Sequence, residues 1–191
     1  MGHHDYIKNY SLLFDNIRDN VKTILEIGIG SVENGQMCGV WDIGYKTGNS
    51  LKCWEEYFQN AAIYGIDIFD HTNLSNGRIN VFAANQAIES DLQSCLEKMK
   101  LPLDIIIDDG SHIGEHQKKS FMILEKFLSP KGIYVIEDIQ AVNIESFQNL
   151  SIFPEDFRSH ILNTYNITYF DTRYNNNRYR EDDFMIAFIR K

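Results

Sequence analysis

The chain of 191 residues matches the usual size of one domain, about 100 to 200 residues, and no internal repeat or Pro-, Gly- or Ser-rich linker divides it. Its 43% hydrophobic and 24% charged residues allow a buried core, which excludes intrinsic disorder and fibrous repeats. Eighteen Lys plus Arg against 27 Asp plus Glu leave a net charge of −9, which argues against the broad basic surface of a nucleic-acid binder.

The first predicted element is a helix over about residues 5–20, with Tyr6, Tyr10, Leu13, Phe14 and Ile17 at helical spacing, forming an N-terminal helical arm over 1–22. Five short, near-continuous apolar runs follow at 23–28 (TILEIG), 62–68 (AIYGIDI), 79–83 (INVFA), 103–107 (LDIII) and 132–136 (GIYVI). Strands covered on both faces of a parallel sheet read this way. Helical patterns at 50–58, 89–98 and 116–128 alternate with them, the last carrying Phe121, Leu124, Phe127 and Leu128 on one stripe. Segments 165–171 (YNITYFD) and 183–189 (DFMIAFI) flank a turn-rich stretch containing Asn175, Asn176 and Asn177, which predicts an antiparallel hairpin. The expected fold is α/β: a Rossmann-like, doubly wound, seven-stranded sheet, mostly parallel, closed by a C-terminal antiparallel hairpin, in a single domain over 1–191.

Cys38, Cys53 and Cys95 are odd in number and form no C-x-x-C pair. Neither a disulfide framework nor a cysteine zinc site is expected, and the reducing cytoplasm is the expected compartment. No apolar run approaches the roughly 18 residues of a membrane span, and the opening MGHHDYIKNY lacks the apolar stretch of a signal peptide, so no membrane partner is expected. At 13% aromatic residues, some rings are free for an interface, and a homo-oligomer is compatible with the composition.

Ligands of open α/β sheets bind beyond the carboxyl ends of the strands. The first strand ends in Glu26, Gly28 and Gly30, a turn that lets backbone approach a ligand; Glu33 stands where a dinucleotide fingerprint needs its third glycine. The second ends in Asp67, placed to accept hydrogen bonds from ribose hydroxyls, with Asp70 undecided. Strands four and five should be neighbours, and they end in Asp108-Asp109 and Glu137-Asp138. At least three of these carboxylates would converge on one crevice, and such crowding either raises their pKa values or demands a cation. An all-oxygen set suits Mg²⁺, with Mn²⁺ or Ca²⁺ as alternatives. His112 lies three residues after Asp109 and is the candidate to take a proton from a hydroxyl. His116 follows at i+4, but Gly114 is expected to precede the helix start, so a zinc-binding histidine pair is disfavoured and packing or polar support is the expected role.

The runs LEIGIG, SLKCWEEYF, YGIDIFD, DIIIDDGSH, HQKKSF and LSPKGIYVIED, spanning roughly residues 23 to 140, together resemble the metal-dependent, S-adenosylmethionine-dependent sugar O-methyltransferases of macrolide biosynthesis, of the mycinamicin and tylosin type, and their cephalosporin-hydroxylase-like relatives. The pairing of DDGSH with a later IED carries most of the likeness. The resemblance implies the class I methyltransferase fold. It implies that Glu26, Gly28 and Gly30 line the methionine part of S-adenosylmethionine, that Asp67 holds the ribose, that Gln86 lies beside the adenine and that Asp108 sits near the sulfonium. It further implies Asp109, Glu137 and Asp138 as Mg²⁺ ligands and His112 as general base. The acceptor would be a hydroxyl of a sugar, glycoconjugate or small natural-product metabolite. Members of this kind carry an N-terminal auxiliary domain, whereas about 22 residues precede the first predicted strand here. The stretch 31–48, with Trp41 and Tyr45, is longer than expected between strand and helix and is either a lid or a disordered loop. Two other readings are an NAD(P)-dependent Rossmann oxidoreductase and a non-catalytic S-adenosylmethionine-binding module.

Overall fold

The computed structural model of the chain describes residues 6–31, 46–174 and 181–191. Strands β1 (Thr23–Ile27), β2 (Ala62–Asp67), β3 (Ile79–Ala83), β4 (Leu103–Asp108), β5 (Leu128–Ile136), β6 (Tyr165–Asp171) and β7 (Phe184–Arg190) form one sheet in the order β3-β2-β1-β4-β5-β7-β6. The five central strands run parallel, whereas β7 is antiparallel to both β5 and β6. The expected seven-stranded, mostly parallel sheet with its C-terminal hairpin is therefore found, and β4 and β5 are neighbours.

Alternation along the strands divides the core. Leu25, Ile27, Ile66, Ile106, Tyr134 and Phe188 face one side; Ile24, Ile63, Ile105, Ile107, Val135 and Ala187 face the other. Helices α3 (Glu89–Leu96), α4 (Gly114–Leu124), α5 (Ala141–Gln148) and α6 (Glu155–Thr164) cover the first face with Leu92, Phe121, Phe147 and Ile161; α1 (Ile7–Phe14) and α2 (Asn49–Tyr57) cover the second with Phe14 and Leu51. Both faces are apolar because both are covered, which is why the strand sequences lack polar alternation.

Three differences from the predicted elements have local causes. The first helix ends at Phe14 and passes through a turn into a short 3₁₀ segment, Arg18–Asn20, over a stretch in which Asp15, Asn16, Asp19 and Asn20 are all residue types of low helix propensity. Leu128 opens β5 instead of ending α4: it pairs with Leu103, and Ser129 Oγ donates to Asp104 Oδ1 at 2.7 Å. Helices α5 and α6 lie between β5 and the hairpin in a stretch that carries no strong helical stripe.

The sheet reverses its winding between β1 and β4. Glu26 lies opposite Ile107, Ile27 opposite Asp108 and, one strand further, Asp108 opposite Ile136. The carboxyl ends of β1, β2, β4 and β5 thus open on the same edge at the switch point, where ligands of such sheets sit.

Candidate active site

The turn after β1 is stitched to its neighbours by backbone. Gly28 N donates to Ile66 O at 2.8 Å, and Asp109 N donates to Ile27 O at 2.9 Å. Gly28 has φ +83°, and a Cβ there would lie 2.0 Å from the carbonyl oxygen of Asp109. No other residue fits this contact, so the glycine joins the β1 turn to the start of the DDGSH loop. Gly30 also has positive φ. Asp67 closes the turn from the other side, its Oδ2 accepting Ile29 N at 3.1 Å and its Oδ1 accepting Phe69 N at 3.0 Å. Beside it Ile68 is 63% exposed, an apolar face next to a buried carboxylate. Asp70 instead caps the following turn through Thr72.

Glu26 is buried and held by α2: Ser50 Oγ donates to its Oε2 at 2.8 Å and Trp54 Nε1 to its Oε1 at 3.1 Å. Burial outweighs these hydrogen bonds and raises its pKa to about 8. Asp108 points to the opposite face of the sheet, where it accepts Gln86 Nε2 at 3.0 Å and the Tyr134 hydroxyl at 3.5 Å; burial lifts its pKa to about 6 against the Gln86 hydrogen bond. Gln86 also donates to Ser120 Oγ, and its Oε1 accepts Ser111 N at 2.6 Å directly under Gly110. Its amide is thus engaged on both sides in holding the DDGSH loop.

The loop delivers Asp109 and His112 to Asp138 at the end of β5. One donor atom from each of these three lies within 4.8 Å of the other two. His112 Nε2 is 3.1 Å from Asp109 Oδ1 and 3.8 Å from Asp138 Oδ2. Both His112 (φ +55°) and Asp138 (φ +49°) sit in the left-handed region. This conformation disfavours side-chain-bearing residues, and such strain gathers at functional sites. Burial opposes the charged form of His112, but the Asp109 hydrogen bond and the charges of Asp109, Asp138 and Asp108 outweigh it and raise its pKa to about 9. The charges responsible are those a cation bound at the cluster would neutralise.

Glu137 is not brought into this group. It is buried next to Asp138, its peptide fixed by Glu137 N donating to Asp108 O and Gln117 Nε2 donating to Glu137 O, both at 2.9 Å. Burial, then the charge of Asp138, pushes its pKa well above the carboxylate range. His116 receives or donates a hydrogen bond with Ser111 Oγ at 2.9 Å, the supporting role expected of it. Two contributors escaped the reading of the sequence. Tyr6 donates to Asp138 Oδ1 at 2.7 Å from 132 residues away, and Trp54 holds Glu26. Residues 32–45, with Trp41 and Tyr45 of the expected lid, and Asn175–Asn177 of the expected hairpin turn lie outside the described residues.

No family model matches the chain. The 8-demethyl-8-alpha-L-rhamnosyl tetracenomycin-C 2'-O-methyltransferase of Streptomyces olivaceus is 33% identical over 160 residues, covering 84% of this chain and 39% of that protein. Demethylmacrocin O-methyltransferase of Streptomyces fradiae is 35% identical over 139 residues, 71% of this chain and 32% of that protein. The chain is similar in sequence to sugar O-methyltransferases. Among solved structures, the MycE methyltransferase from the mycinamycin biosynthetic pathway, in complex with Mg and SAH, matches all of this chain at 25% identity and a TM-score of 0.72. That likeness identifies the sheet as the class I methyltransferase fold. The chain spans about a third of the length of the sugar O-methyltransferases it matches in sequence and 51% of the MycE chain.

Proposed function

We propose that this chain transfers the methyl group of S-adenosylmethionine to a hydroxyl of a sugar carried by a natural product, with a divalent cation as cofactor, in the reducing cytoplasm. The observation that carries the reading is the meeting of Asp109, His112 and Asp138 one peptide away from the Gly28 turn at the switch point of the sheet. Relatives that methylate rhamnosyl and macrolide sugars support the acceptor class.

The carboxylates fit a hard divalent ion: Asp109 and Asp138 converge beside His112, whose imidazole stays available as a base, with Glu137 buried next to Asp138. Asp109 and Asp138 would hold it, and Glu137 would join them on the strength of the family resemblance. Bound there, the ion supplies Lewis-acid polarisation of the acceptor hydroxyl. His112 would accept the proton of that hydroxyl at Nε2. Glu26, Gly28 and Gly30 would border the methionine part of S-adenosylmethionine, with Asp67 on the ribose, Ile68 offering an apolar face to the base, and Gln86 and Asp108 ordering the loop near the sulfonium. Since the β1 turn and the DDGSH loop share backbone contacts, the two reactants would be held in one fixed geometry, and much of the acceleration would come from that.

Calorimetric titration with S-adenosylmethionine, with and without Mg²⁺, on wild type and Asp67→Ala tests the cofactor assignment. Binding by the wild type and its loss in the variant are expected; a wild type that ignores S-adenosylmethionine but binds NADH would replace this reading with an oxidoreductase. Methyl transfer to a rhamnosyl or macrolide acceptor should vanish in EDTA and return with Mg²⁺ or Mn²⁺. Tight cofactor binding without measurable Mg²⁺ binding would leave only a binding module.

A further inference from the structure

We propose that Tyr6 is a positioning residue of the metal site: its hydroxyl holds the Asp138 carboxylate so that one oxygen faces away from the cluster and the other faces into it. The inference rests on the reading of Asp109 and Asp138 as cation ligands beside His112. Tyr6 Oη donates to Asp138 Oδ1 at 2.7 Å, while Oδ2 of the same carboxylate lies 3.8 Å from His112 Nε2, inside the cluster. The two oxygens are divided between an outer partner and the site. Both ends of this hydrogen bond are well fixed, since Tyr6 is 4% and Asp138 is 4% exposed.

Asp138 needs such a brace. It follows the last residues of β5 at φ +49°, so no strand register holds it. Its neighbour's peptide is anchored by Gln117 and Asp108, which fixes the backbone, while the Tyr6 hydrogen bond acts on the carboxylate itself. Tyr6 is itself fixed from the opposite face of the sheet. It enters α1, whose Tyr10 and Phe14 rings pack on Trp54 of α2 at 5.1 and 6.2 Å between centroids. A ligating carboxylate oriented by an outer hydrogen-bond donor binds its ion more tightly, and removing the donor typically costs about 10- to 100-fold in metal affinity.

The test is a Mn²⁺ titration of the full chain, read by electron paramagnetic resonance without S-adenosylmethionine or acceptor. It compares wild type, Tyr6→Phe, and Tyr10→Phe as a control on the same helix. The buried Tyr10 hydroxyl has no hydrogen-bond partner among the described residues. Tyr6→Phe should raise the Mn²⁺ Kd about 10- to 100-fold, with melting temperature and S-adenosylhomocysteine affinity held close to wild type; Tyr10→Phe should leave all three unchanged. An unchanged Mn²⁺ Kd in Tyr6→Phe, against a wild type that binds, overturns the inference and spares the metal site. Parallel loss of S-adenosylhomocysteine and Mn²⁺ binding in Tyr6→Phe overturns it as well, because the tyrosine would then be structural. A wild type that binds no Mn²⁺ removes the metal site and the inference together.

Discussion

His112 and Glu26 illustrate how position decides what an ionisable side chain does. His112 touches both acidic partners yet lies outside the glycine turn that would border the cofactor. His112→Ala should therefore lower kcat by about 10²- to 10⁴-fold, the usual range for a general base, and leave the S-adenosylmethionine Kd unchanged; a retained kcat removes it from the chemistry. Glu26 has no such freedom, being buried against α2 with a pKa raised from 4.5 to about 8. The folded state binds this proton more tightly than the unfolded chain does. Its stabilising contribution is full below pH 4.5 and is lost as pH rises through about 8. Glu26→Gln should accordingly flatten the fall in stability between pH 5 and 8, by at most about 1.4 kcal/mol per pH unit. Urea melts of the two chains in EDTA, compared as a difference at each pH, measure it; parallel profiles would show that Glu26 keeps its charge when buried. Gly28→Ala is expected to be severe at this scale. Besides the left-handed backbone, worth about 1–3 kcal/mol, the new Cβ meets the Asp109 carbonyl at 2.0 Å. Cofactor and Mn²⁺ binding should weaken together, which paired titrations would detect.

At the scale of elements, α4 is the support of the acidic loop, and Phe121 is its anchor. The ring is fully buried, with centroids 4.3 Å from Phe188, 4.9 Å from Tyr134 and 5.5 Å from Phe153. Phe121→Ala should destabilise the chain by about 3–5 kcal/mol, read as a lower urea midpoint at an unchanged slope. Elements with many buried residues were also the readable ones. The 103–107 run shows β4 because nearly every residue of it is inside, and the Phe121 stripe marks α4. Helices α5 and α6 were not legible for the converse reason: α5 buries only Ile144 and Phe147 and α6 only Ile161, too few positions to establish a period. Pro154 followed by Glu155 and Asp156 was the signal available for the start of α6.

For the whole molecule, the sequence exposed those parts of the site that lie at strand ends, because strand order alone converts Glu26, Asp67, Asp108, Asp109 and Asp138 into one rim. It could not expose what crosses the sheet. Tyr6 reaches Asp138 over 132 residues, and no local pattern encodes such a pairing. Gln86 likewise reads as a loop polar residue until the fold places it under Gly110. The membership of Glu137 in the cluster is a similar case. Adjacency in sequence suggested that Glu137 and Asp138 act together; the left-handed turn at Asp138 sends that carboxylate to His112, while Glu137 lies buried next to it and points elsewhere than the cluster's three donors. Consecutive residues share an address along the chain and not a direction in space.

The contact between Gly28 and the Asp109 carbonyl makes the gap between the two half-sites a ruler cut in peptide. Exchanging side chains around it would not lengthen or shorten the ruler. On the proposed reading, any change of acceptor would be confined to the rim, and the spacing between the cofactor turn and the acidic cluster would stay set by peptide alone.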